Sequence, residues 1–107
     1  MALLTPRSTP FHARLRQARL AVGLSQKQLG IQAGMDEFVA STRVNRYEKG
    51  KYQPDFDTAA RLAAVLRVPL AYFFAQDDRL AELILVFTEL PKRKRDALLR
   101  MALDNTG

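Results

Sequence analysis

The sequence predicts an all-α fold of five short helices followed by a C-terminal helical hairpin. Three observations predict it. Apolar residues recur at spacings of three and four, and alternating strand patterns are nearly absent. Capping residues stand ahead of these periodic runs, and glycine or proline punctuates them. The length, 107 residues, suits one domain with a modest core, and there is no cysteine to staple a smaller one.

The elements follow in order. Thr9-Pro10 places a cap before a proline at the first helical position, and Phe11, Leu15, Ala18 and Val22 line one face up to Gly23. Ser25 caps a second helix, QKQLGIQA, which ends at Gly34. Asp36 is expected to cap a third helix that runs to about Lys49 and stops at Gly50. After the loop KYQP (51–54), Asp55 caps a fourth helix with Phe56, Ala59, Leu62, Ala63 and Leu66 facing inward. Pro69 opens a short fifth helix, LAYFFA, whose Phe73 and Phe74 are expected to close the core. Residues 76–78 form a junction. Asp77 or Asp78 caps the sixth helix, RLAELILVFTEL, and Pro91 starts the last, KRKRDALLRMAL. The chain thus divides into a tail (1–8), a body (9–75) and a hairpin (76–107).

Charge points to a partner. The net charge is +6, and it is unevenly spread. Residues 1–75 hold eleven Lys/Arg against five Asp/Glu, whereas residues 76–107 hold six of each. A basic body favours a polyanion such as nucleic acid. The longest apolar run, LILVF (83–87), is far below a membrane span, and the N-terminus lacks a long enough apolar stretch for a secretory signal. No membrane contact and a cytoplasmic location are therefore expected. His12 is the sole histidine and there is no thiol, so no metal site is expected. A nucleophile–base pair and a phosphate loop are also missing, so neither an enzyme, a cofactor nor a small-molecule ligand is expected. The basic run PKRKR (91–95) is by default a solvated surface.

The segment GMDEFVASTRVNRYEKG (34–50) carries the functional signal. A helix, a turn and then a polar helix follow helix-turn-helix logic, in which the second helix lies in the major groove. A small residue, Gly30, is needed where the helices cross, and Gly34 tolerates the positive φ of the turn. Leu29, Ala33, Val44 and Tyr47 would seal the pair from inside. At about 100° per residue, Ala40, Val44 and Tyr47 share one stripe, with Ser41, Thr42, Asn45 and Arg46 opposite. Arginine can fork onto guanine and asparagine can pair with adenine.

GLSQKQLGIQAG (23–34), RVNRYEKGKYQP (43–54) and TAARLAAVLRVPLAYFF (58–74) together resemble the Cro/repressor-type, or XRE-like, helix-turn-helix family. The resemblance covers residues 11 to about 75 and implies a lambda-repressor-like DNA-binding domain. It implies a phosphate or base contact for Gln26, base reading by Ser41, Thr42 and Arg46, and a phosphate grip by Lys49 and Lys51. It also implies a structural pair between Arg19 and Glu48. Arg43 is a further candidate contact, whose alternative is a solvated helix residue. Tyr52 either packs on its loop or bonds a phosphate.

One departure stands out. Fourteen positions separate Gly34 from Glu48, where the family pattern has about ten. The extra residues, roughly MDEF, lengthen either the turn or the front of the third helix, and Asp36 as a cap favours the helix. Phe38 is expected to fold back into a neighbouring pocket; its alternative is contact with a thymine methyl.

In the sixth helix, Leu80, Leu83, Ile84, Phe87 and Leu90 form one stripe, while Leu85 and Val86 fall outside it. A helix apolar over most of its girth needs cover on more than one side. The body or the last helix supplies one cover, and a second subunit is expected to supply the other. The combined expectation is a sequence-specific regulator of double-stranded DNA, a repressor acting as a homodimer on a palindromic operator. An antitoxin or a restriction-modification controller of the same fold would look alike. A protein-interaction module is the competing class, and the polar face bearing Arg46 argues against it.

Overall fold

A computed structural model describes residues 9–106; the expected tail, 1–8, lies outside the described residues. Among them are six α-helices, a 3-10 helix and no strand. These are α1 (Phe11–Val22), α2 (Gln26–Gln32), α3 (Ala40–Glu48), α4 (Phe56–Leu66), the 3-10 helix Leu70–Phe74, α5 (Asp78–Glu89) and α6 (Lys92–Asp104). The fifth helix of the body is therefore a tight 3-10 element.

Local chemistry sets the boundaries. Ser25 and Gln28 form a reciprocal capping box at α2: the Ser25 hydroxyl accepts from Gln28 N, and the Gln28 side chain accepts from Ser25 N. Asp55 caps α4 by accepting from Thr58 N at 2.8 Å. Asp77 caps α5 by accepting from Arg79 N and Leu80 N. Gly23 ends α1 in the left-handed region, at φ 76°. Thr9 does not cap α1. Its hydroxyl accepts from Gln53 Nε2 at 2.6 Å instead, and Pro10 takes the cap position, its carbonyl accepting from Arg14 N.

The core gathers Phe11, Leu15, Leu29, Val44, Leu62, Leu66 and Phe73, all at 2% exposure or less. Each such side chain contributes about 1.5–3 kcal/mol by leaving water. Phe11 meets Phe73 edge-on, with ring centroids 4.8 Å apart. Phe74 does not close the core as expected. It stays 44% exposed and leans on the outer side of Phe11. Val22 and Phe56 were also expected inside and are 50% and 72% exposed. Val22 lines the rim of an open hollow with Leu24, Val65 and Leu85, and Phe56 opens α4 directly after its cap Asp55.

The hairpin is packed differently. Only Ala81 is buried on α5, with Ile84 and Leu85 half-covered against the body. Leu85, expected off the apolar stripe, thus helps anchor it, whereas Leu80 and Leu83, expected on the stripe, remain about half exposed. The body-facing stripe follows the i, i+3, i+4 row of Ala81, Ile84 and Leu85. No residue of α6 is buried. Arg14, itself buried, straps the start of the hairpin to α1. Its Nε and Nη2 donate to the Ala75 carbonyl at 3.0 and 2.8 Å, and Nη2 lies 3.0 Å from Asp78 Oδ1.

Candidate nucleic-acid interface

α2 and α3 cross almost backbone to backbone. A Cβ on Gly30 would lie 2.7 Å from the Ala40 Cβ, so only glycine fits. Gly34 adopts φ 93° and turns the chain away after α2. The expected third helix does not begin at Asp36. Asp36 Oδ1 accepts from Phe38 N at 2.8 Å and its carbonyl accepts from Val39 N and Ala40 N, which makes a separate turn over 36–39. α3 proper starts at Ala40, so the four extra residues lengthen the turn. Short polar and β-branched residues are weak helix formers, and α3 holds its shape by burying Ala40, Val44, Tyr47 and Glu48.

That burial sets the opposite face outward. Ser41, Thr42 and Arg46 are exposed, as are Lys49 and Lys51. The two lysines flank Gly50, whose φ of 73° ends α3. The Arg46 guanidinium stacks 5.6 Å from the Tyr52 ring centre, which limits its rotamers while leaving its donors toward solvent. Arg43 is half-buried and donates through Nη2 to the Tyr47 hydroxyl at 3.0 Å. Arg43, Arg46, Tyr47, Tyr52 and Gln53 line a shallow depression of about 250 Å³. Its two guanidiniums, two phenols and one amide suit an anionic oxygen. Tyr47 and Gln53 were not singled out from the sequence. Tyr47 reads there as a core residue and Gln53 as a loop residue, and only the fold brings them beside the arginines.

A buried network holds this face in place. Glu48 accepts from Arg19 Nε at 2.6 Å and from Arg19 Nη2 at 2.9 Å, a bidentate pair with both partners under 10% exposed. Arg19 Nη1 also donates to the Leu24 carbonyl at 3.0 Å. The hydrogen bond to Glu48 raises the Arg19 pKa above its ordinary value against the opposing effect of burial. Gln26 Nε2 donates to Glu48 Oε1 at 3.1 Å and to Asn45 Oδ1 at 3.2 Å. Gln26 and Asn45 are therefore half-buried and partly engaged within the protein, unlike Arg46. The network joins α1, α2 and α3 and pairs the buried Glu48 carboxylate with a cation.

Residues 15–73 match the helix-turn-helix family model. The chain belongs to the XRE-type helix-turn-helix family of DNA-binding transcription regulators. It is also similar to the crystal structure of the transcriptional regulator BswR, with a TM-score of 0.82 and 45% identity. That alignment covers 87% of this chain and 92% of the other. Such coverage exceeds the helix-turn-helix body, so the likeness runs into the hairpin. No curated protein matches the chain. Among the described residues, no helix is long and apolar enough to cross a membrane.

Proposed function

We propose that this XRE-type protein is a transcriptional repressor that binds a palindromic operator as a homodimer and blocks the promoter. Ser41, Thr42 and Arg46 read base edges in the major groove, with Asn45 and Gln26 at the margin. Arg43, Lys49 and Lys51 grip phosphates. The observation that carries the reading is the exposed, donor-rich face of α3, fixed from behind by the buried Arg19–Glu48 pair. It works on DNA in the cytoplasm.

The hairpin, residues 76–107, supplies the dimer contact. Leu80, Leu83 and Val86 of α5 and Leu99, Met101 and Leu103 of α6 are each about half exposed or more. An isolated helix of α6's length is marginal in water, so it needs a cover. A second copy is the cover that the charges favour. α5 with its cap carries Asp77, Asp78, Glu82 and Glu89 against Arg79, whereas α6 carries Lys92, Arg93, Lys94, Arg95 and Arg100 against Asp96 and Asp104. An acidic helix and a basic helix in each copy complement each other across a two-fold axis. Four such helices make a bundle core.

Selection of bound duplexes from a random library, with sedimentation of the free protein, tests this reading. The expected result is a two-fold symmetric site, its half-sites about 34–36 Å apart, bound by a dimer. A monomer in solution, or selected sites without symmetry, would overturn the dimer reading.

A further inference from the structure

We infer that Phe38 reads a thymine methyl beside the bases read by α3. The inference rests on the DNA-binding reading above and extends it to the lengthened turn.

Phe38 is 87% exposed, contrary to the expected fold-back into a pocket. The turn that carries it is held at both ends. Met35 is buried and its N–H donates to the Gly30 carbonyl at 2.9 Å, while Ala40 is fully buried against Gly30. Between them, the Asp36 side chain accepts from Phe38 N. A phenylalanine on a tied turn, left uncovered among the described residues, is offered to a partner surface.

Its position says to what. Phe38 lies two residues before α3, and in helix-turn-helix docking the N-terminal end of the recognition helix meets base edges. The thymine C5-methyl is the apolar group among the base edges of the major groove, and aromatic side chains can contact it. The neighbours agree. Asp36 and Glu37 are exposed, and carboxylates are repelled by a phosphate strand. Over base edges they meet donors instead, since a carboxylate accepts from the cytosine amino group. Phe38 and its acidic neighbours thus suit the groove floor and not the backbone.

The test exchanges single thymines of one selected half-site for deoxyuridine, which removes the methyl and nothing else. Binding of the wild type, Phe38→Ala and Phe38→Leu is then compared by fluorescence anisotropy. At one position the exchange should weaken the wild type about fourfold, the worth of one buried methyl. Phe38→Ala should bind the two duplexes equally, and Phe38→Leu should keep part of the difference. A wild type indifferent to every exchange, or a Phe38→Ala protein that keeps the full discrimination, would overturn the inference. A half-site lacking thymine would overturn it too. Indifference combined with normal operator binding would leave the DNA reading intact and turn Phe38 toward a protein partner. Failure of the wild type to bind any duplex would instead bring down the DNA reading itself.

Discussion

The body and the hairpin are both built from amphipathic helices, yet they end in opposite states. In the body, the apolar stripe of each helix meets a neighbour: Leu15 on α1, Leu29 on α2, Val44 on α3 and Leu62 on α4 are all fully buried. In the hairpin, α5 buries one alanine and α6 buries nothing. Amphipathic spacing specifies which side of a helix seeks cover. Whether the chain itself supplies that cover depends on tertiary geometry. The body therefore has the packing of an autonomous unit, and the hairpin has the packing of half of one.

Breaking the body should cost most. Glu48→Ala leaves Arg19 as an uncompensated buried charge and should destabilise the fold by about 3–5 kcal/mol. Thermal melting reads this directly, and a melting temperature equal to wild type would remove the pair from the account. The hairpin should respond in assembly and not in melting. The double variant Leu99→Asp/Leu103→Asp should sediment as a monomer with the body still folded. Its affinity for a two-half-site operator should fall roughly 100-fold or more as the linkage between half-sites is lost. A stable dimer in this variant would take the interface away from α6. The smallest effect concerns the caps. Hydrogen bonds from Thr58 lower the pKa of Asp55, and backbone N–H bonds from Leu80 and Arg79 lower that of Asp77. A lowered folded-state pKa gives stability that is fully present above the ordinary carboxylate value near 3.8 and is lost as pH falls through the lower folded value. Asp55→Asn keeps a capping oxygen without the titration. Its melting temperature should change less than that of the wild type between about pH 4 and 2.

Much of this was legible in the residues. Ser25, Asp55 and Asp77 cap helices as their chemistry requires, and Gly23, Gly34 and Gly50 take the left-handed conformations expected where helices stop. The stripe of Ala40, Val44 and Tyr47 is buried, with Ser41, Thr42 and Arg46 outward. What failed did so for physical reasons. Asp36 has the chemistry of a helix cap, but its carboxylate serves a turn, a choice that local sequence does not distinguish. Phe56 and Val22 lie toward the apolar face by angle and stay exposed, whereas Phe11, equally terminal on α1, is buried against Phe73, so tertiary geometry decides which end residue finds a neighbour. Nothing in the sequence marks Arg14, because a buried arginine on the apolar side of α1 makes sense only beside the Ala75 carbonyl that accepts from it. Periodicity reports direction around a helix, and these residues depend on what the fold brings beside it.

In the function proposed above, the outward face of α3 reads bases while its flanks hold the backbone. The most direct test titrates wild type, Arg46→Ala and Lys51→Ala with cognate and scrambled duplexes over a salt series. Arg46→Ala should lose about 1–3 kcal/mol on the cognate duplex and relax the preference for it. Lys51→Ala should weaken both duplexes alike and reduce the salt slope by about one. Unchanged cognate affinity in Arg46→Ala, with discrimination intact, would contradict the account.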